Sequence, residues 1–360
     1  MLILALAIVC TLYGTVIIRS VTGRGSYVMV QFVAMILGVI AFILFSLIDV
    51  DVIADKSRLL YFLSAIFICT LFIWGEAGES GNRAWIRFGI IGIQPAEIVK
   101  IPFIIIFARL MIYLQERKGI NKPLSIAVML VIFGVLFGLI LVSSSDLGSA
   151  LVYFFVFLVM LFAGGLSMWW FLAGFAVLGV SMPFLWKHFL NQNQKDRIMA
   201  PYFKSVDPSG LGIRWQANQS KAAISNGGFS GRGLGYGPMT QSGSVPQQHT
   251  DFIFSAAGEE LGFIGCFLII ALLLAVIIRC FYVATRCNNQ MGYLVCSGVG
   301  AMFIAQMLEN VGMCIGLTPV IGLTLPFFSY GGSSILTNFI ALGIVSGIKM
   351  RSRTQRIGNY

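Results

Sequence analysis

Residues 124–143 read LSIAVMLVIFGVLFGLILVS, twenty positions without one charged side chain. A surface helix of a soluble protein keeps a polar face, and this stretch has none. At about 1.5 Å rise per residue, twenty apolar residues match a bilayer core about 30 Å thick. Runs of the same kind recur near 2–19, 28–47, 59–74, 98–114, 148–164, 168–186, 254–278, 293–315 and 333–349. The composition agrees: 58% hydrophobic, 11% charged, mean hydropathy +0.90, where soluble chains carry about 25% charged residues. A β-barrel would instead show alternating segments of about 10 residues. The sequence therefore predicts an all-α polytopic membrane protein with ten transmembrane helices in a single integral membrane domain spanning 1–360.

Basic residues in short connections set orientation. Lys56, Arg58, Arg117, Lys118, Lys122, Arg279 and Arg286 fall on the side of the C-terminal tail, which adds Lys349, Arg351, Arg353 and Arg356. Short connections on the other side hold only Arg19, Arg24, Arg83 and Arg87. Both termini are expected in the cytoplasm, and the long polar loop between helices 7 and 8, residues 187–250, outside it. The net charge of +10 then divides between topology-setting loops and a loop that meets anionic headgroups or phosphates, so it is no nucleic-acid footprint. The seven cysteines are scattered without CxxC spacing and read as small apolar or reduced residues, with no disulfide and no zinc site. No internal repeat is visible, which disfavours a symmetric transporter.

With only 14 acids in the chain, each one near the membrane needs a reason, because a charge within a span costs about 2.5–3.5 kcal/mol. Glu97 and Lys100 stand three apart and share a helix face. They are a structural ion pair, or Lys100, with Arg83, faces a headgroup pocket. Asp146 follows Ser143, Ser144 and Ser145 between two spans. It caps the next helix or lines a cavity, where its oxygens are a candidate ligand for a divalent cation. Asp251 ends the long loop just before Phe252, Ile253 and Phe254. It caps the helix that follows, or it is a general base for a substrate hydroxyl, with His249 as rival. One of Glu259 and Glu260 is expected to pair with a basic group. The glycine run 227–237 reads as a flexible loop or an anion-binding nest. Residues 316–334, with two prolines and no charge, break the helical pattern and read as a re-entrant hairpin lining a cavity.

Four of these stretches, in this order, resemble the SEDS family (shape, elongation, division and sporulation), which includes RodA, FtsW and SpoVE. They are Gln94-Pro95-Ala96-Glu97 with Lys100, Pro246 to Phe254, Glu259-Glu260-Leu261-Gly262-Phe263, and Leu325 to Ser334. The residues from Val245 to Phe254 and the short chain ends resemble the RodA branch more than the FtsW branch. The resemblance covers essentially the whole chain and implies a peptidoglycan glycosyltransferase of the bacterial cytoplasmic (inner) membrane. Such an enzyme polymerises lipid II outside the membrane during cell-wall synthesis and cell-shape maintenance, with inversion and release of undecaprenyl pyrophosphate. It further implies that Asp251 is the catalytic residue, that Glu97 and Lys100 form a buried ion pair, and that Asp146 lines the central cavity. A divalent cation (Mg2+ or Mn2+), a class B penicillin-binding protein and other elongation or division machinery are the implied cofactor and partners. Arg83, Arg197, Arg214 and Lys221 are the candidate contacts to the substrate diphosphate. The chain departs from the family where Ser144-Ser145 replaces Gln-Pro before Asp146, and where Ala84 follows Arg83 in place of a second arginine, for which Arg87 is the candidate substitute. A lipid II flippase is the alternative reading, since buried polar groups and a cavity suit both.

Overall fold

The computed structural model describes residues 2–76, 83–88, 91–188 and 190–357. Helices occupy all ten expected segments: α1 (Leu2–Thr22), α2 (Gly25–Leu47), α4 (Ser57–Cys69), α6 (Pro95–Arg117), α7 (Pro123–Ser144), α8 (Leu147–Ala163), α9 (Met168–His188), α13 (Ile253–Thr285), α14 (Gln290–Ile315) and α15 (Gly332–Ile357). Among the described residues, eight stretches are by length and composition suited to crossing a membrane, with α4 running on through the short α5 (Leu71–Trp74) to make one of them. The other two expected spans are α6, which carries Glu97, Lys100, Arg109, Glu116 and Arg117, and α8, which has 17 residues. Among the described residues, helices thus cover the ten expected segments, while apolar length alone supports eight spans.

Shorter elements fill the connections. Helix α3 (Val50–Asp55) lies between α2 and α4, and an antiparallel strand pair, β1 (Ile86–Phe88) and β2 (Ile91–Ile93), precedes α6. The 187–250 loop is folded rather than slack. It holds α10 (Gln192–Met199), α11 (Trp215–Gly227) and α12 (Pro238–Gln241).

Small residues let the helices meet closely. Along the α2–α15 contact, a Cβ on Gly343 would fall 2.6 Å from the Phe42 carbonyl oxygen, and one on Gly347 would fall 2.5 Å from that of Ser46. This is the spacing of four by which small residues bring membrane helices together. At the core, Phe303, Phe327 and Phe339 pack ring on ring.

The two ends of the bundle separate the same residues that the charge pattern separates. At one end Arg351 reaches Asp49 (3.6 Å) and the Ile48 carbonyl (2.9 Å), and Asn289 reaches Asp51 (3.2 Å). At the other, Gln241 and Gln248 donate to the Ser20 and Val21 carbonyls at the end of α1 (both 3.1 Å), so the long loop sits over that end.

Helix α13 differs from the expected span. At 33 residues it would be about 50 Å long if straight, and it breaks at Gly262, where φ is +67° and ψ −161°. Residues 253–260 before the break are buried, and exposed apolar surface begins at Phe263 and Ile264. A short buried helical segment therefore separates Asp251 from the exposed apolar stretch.

Candidate active site

The break at Gly262 frees backbone groups that a continuous helix would satisfy internally, and buried backbone groups must find partners. The glycine run supplies them. Arg232 and Gly233 N–H donate to the Glu259 and Glu260 carbonyls (both 2.9 Å), and Phe263 N–H donates to the Gly228 carbonyl (2.9 Å). Gly227 and Gly231 lie so close to the 258–261 backbone that a side chain has no room. The run is a clasp on a broken helix, which corrects both the flexible-loop and the anion-nest readings.

The two acids beside it are spent the same way. Glu259 accepts from the Met239 (3.0 Å) and Thr240 (2.7 Å) N–H groups at the start of α12, and Glu260 accepts from the Gln241 amide (2.9 Å). Among the described residues neither forms an ion pair, contrary to expectation; backbone N–H groups and a side-chain amide take the place of a cation.

This scaffold delivers Asp251 to the lining of a cavity of about 1400 Å³. Burial first, and the Asp146 carboxylate second, push the Asp251 carboxyl up to about 6, opposed by a hydrogen bond with the Thr250 side chain. A carboxyl at that value is ionised near neutral pH and still basic enough to accept a proton in a transition state. The segment 316–331 lines the cavity beside it through Thr318, Val320, Ile321 and Gly322. It is irregular backbone sheltered by protein, as the hairpin expectation required, although no strands pair in it. Ser329 donates to the Thr250 carbonyl (2.6 Å) and Tyr330 N–H to the His249 carbonyl (2.9 Å). The His249 ring also lines the cavity, packed edge-on to Tyr27 at 5.0 Å.

Asp146 combines its two readings. Its carboxylate caps α8 by accepting from Ser149 N–H (3.0 Å), and it also lines the cavity. Ser145, in place of the family's proline, ends α7 in the left-handed region at φ +54°. The second carboxylate oxygen of Asp146 accepts from the Ser149 hydroxyl (2.7 Å) and from the Gln94 amide (2.9 Å). Both oxygens are thus engaged by protein, and the described residues bring no group of three His, Cys, Asp or Glu together. The donor set does not fit a metal held by the protein alone.

Glu97 and Lys100 pair at 2.5 Å with side chains 3% and 2% exposed. Glu97 borders the cavity, whereas Lys100 does not line it. Lys100 therefore neutralises a buried carboxylate and is not the headgroup contact considered from sequence.

Of the four candidate diphosphate contacts, Arg197, Arg214 and Lys221 line the cavity. Arg83 is exposed and outside the lining, and Arg87 lines it instead. The reason is the strand pair: Arg87 sits within β1, in register with Gly92 of β2, while Arg83 precedes the strand. Asp207 shapes the turn that presents Arg214, accepting from the N–H groups of Gly210, Gly212 and Arg214 (3.0, 2.9 and 3.1 Å). These bonds, that of Arg214 foremost, lower its carboxyl below the usual range. The opposite wall is apolar, with Val30, Val33, Ala34 and Leu37 of α2. Met29, Val33 and Leu37 are at once lining and 69%, 50% and 52% exposed, so the cavity opens sideways along α2.

Known proteins are similar to this chain over nearly all of their length. The family model described as cell cycle protein, FtsW/RodA/SpoVE, matches residues 1–354. Peptidoglycan glycosyltransferase MrdB of Escherichia coli K12 is 31% identical over 351 residues, covering 97% of this chain and 92% of that protein. The probable peptidoglycan glycosyltransferase FtsW of Geobacter metallireducens is 33% identical over 364 residues, covering 98% and 95%. Among solved structures, a chain from work on the coordination of polymerization and crosslinking by a peptidoglycan synthase complex matches with a TM-score of 0.83 at 27% identity, covering 97% of both chains. The rod shape determining protein RodA of Thermus thermophilus matches with a TM-score of 0.71 at 25% identity, covering 97% of this chain and 95% of that one. On sequence and fold together, this chain belongs to the FtsW, RodA and SpoVE family of cell cycle proteins.

Proposed function

We propose that this multi-pass membrane protein is a peptidoglycan glycosyltransferase in cell-wall synthesis, polymerising lipid II with Asp251 as general base. The observation that carries the reading is one cavity with three properties. A carboxylate poised near 6 lies in its lining, basic side chains line it as well, and its apolar wall along α2 is open to the outside of the protein. A lipid-linked sugar diphosphate needs all three. Its polyprenyl chain stays in the apolar phase, and its diphosphate is attracted to Arg87, Arg197, Arg214 and Lys221.

In the reaction, the 4-hydroxyl oxygen of the acceptor sugar attacks the anomeric carbon of the donor. Asp251 takes the hydroxyl proton, the anomeric C–O bond to the diphosphate breaks, and undecaprenyl pyrophosphate leaves with the bonding pair. Attack opposite the leaving group inverts the α linkage to β. A divalent cation (Mg2+ or Mn2+) would come as counter-ion of the diphosphate, because the described residues bring no group of three His, Cys, Asp or Glu together.

The likeness to a chain of a peptidoglycan synthase complex supports a class B penicillin-binding protein as crosslinking partner. The family supports the bacterial cytoplasmic membrane, with the 187–250 loop on the outer face and a role in elongation or division. Purified protein mixed with lipid II in detergent tests the activity. Glycan polymer is expected without a second membrane face. No polymer, together with lipid II transport in liposomes, would instead make the protein a flippase.

A further inference from the structure

Three consecutive backbone carbonyls, those of His249, Thr250 and Asp251, accept hydrogen bonds from the far C-terminal part of the chain. Tyr330 N–H and the Ser329 hydroxyl hold the first two. The third is held by Asn310 of α14, fully buried, whose side-chain amide donates to the Asp251 carbonyl at 2.8 Å. The same NH2 group donates to the Leu323 carbonyl at 2.6 Å. One amide therefore ties the Asp251 backbone to the irregular 320–324 stretch with its two protons. The Asn310 carbonyl is approached by the Cys314 thiol, at 4.0 Å. Next to Leu323 is Gly322, at φ +73°, where a Cβ would fall 3.2 Å from an Asp251 carboxylate oxygen. The stretch that Asn310 anchors is the surface against which that carboxylate lies.

We infer that Asn310 is a positioning residue for Asp251, fixing the carboxylate against the Gly322 backbone by bonding both sides of that contact. The inference rests on Asp251 being the base. A carboxamide suits the task because it presents two donors in one plane while carrying no charge into the bundle. Both acceptors are carbonyls in protein-sheltered irregular backbone, so loss of the amide leaves two buried groups unpaired and lets the segments move apart. Such movement affects reaction more than binding, since a misplacement of about 1 Å can cost about 10²-fold in rate.

The test is steady-state polymerisation of lipid II by purified Asn310→Ala and Ser329→Ala proteins, with melting temperatures in the same detergent. Asn310→Ala is expected to lower kcat by about 10²-fold while KM stays within about twofold. Ser329→Ala, which releases the Thr250 carbonyl and the Leu325 N–H, is expected to lower kcat less, with the same split. Wild-type kcat in a folded Asn310→Ala protein overturns the inference, as does a rise in KM that accounts for the whole loss. If Asn310→Ala does not fold, Ser329→Ala decides: a fall in kcat at constant KM supports the positioning network, and unchanged kcat overturns it. Full activity of Asn310→Ala beside an inactive Asp251→Asn protein removes this inference alone. Activity of Asp251→Asn removes the reading it rests on.

Discussion

The Gln94 side-chain amide donates to the Asp146 carboxylate at 2.9 Å, joining the start of α6 to the start of α8 across 52 residues of sequence. The bond holds Asp146 at the cavity while the same carboxylate caps α8. Held there, its charge helps to push the Asp251 carboxyl up to about 6.

That coupling has a measurable sign. Asp251 is the active base when deprotonated, so the rate should fall as pH drops through about 6. Asp146→Asn removes the nearby negative charge and should move this acid limb to lower pH, by less than burial raises it, because burial leads. Initial polymerisation rates between pH 5 and 8 give the answer. An unmoved limb would mean that Asp146 does not act on Asp251 through charge.

The Glu97–Lys100 pair should behave as a buried pair, costly to break and cheaper to replace. Glu97→Gln or Lys100→Met alone strands one buried charge and should cost about 3–5 kcal/mol, whereas the double substitution should cost less than the sum of the two. Unfolding in mixed micelles measures all three. Additive losses would show that the two charges do not depend on each other.

The cavity rim separates two arginines that look alike in sequence. Arg87→Ala should raise KM for lipid II by about tenfold, the cost of a charge-assisted phosphate contact, with little change in kcat. Arg83→Ala should leave both constants near wild type. The reverse result would return the diphosphate contact to Arg83.

The break in α13 predicts an intolerant glycine. Gly262 sits at φ +67° and ψ −161°, a region essentially closed to other residues, where strain costs about 1–3 kcal/mol. A side chain there would also meet the backbone of Phe229 and Gly231. Gly262→Ala should loosen the clasp and expose residues 227–241 to protease. Gly138→Ala, in α7 with open space around it, should change nothing measurable.

Much of this was legible before any coordinates. Apolar length and the scarcity of acids located the helices and singled out Glu97, Asp146 and Asp251, because hydrocarbon penalises charge strongly enough to leave a compositional trace. The break at Gly262 left no such trace, since hydropathy does not register a backbone dihedral, and Leu261 and Phe263 beside it are as apolar as a continuous span. Glu259 and Glu260 were expected to find a cation because backbone N–H partners are invisible in a list of side chains. Gln94 and Asn310 were missed as site residues for another reason. They are neutral amides whose partners lie 52 and 59 residues away, and nothing local marks such a contact. The choice of Arg87 over Arg83 followed from a short strand pair that the sequence reading did not contain.

The central claim is that Asp251 takes the proton from the acceptor hydroxyl. Its most direct test is the rate at which purified Asp251→Asn protein polymerises lipid II in detergent, measured beside wild type at matched melting temperature. Loss of general-base catalysis should reduce the rate by at least about 10²-fold while the protein stays folded; glycan polymer formed at near wild-type rate would contradict the claim and leave His249 as the base to examine.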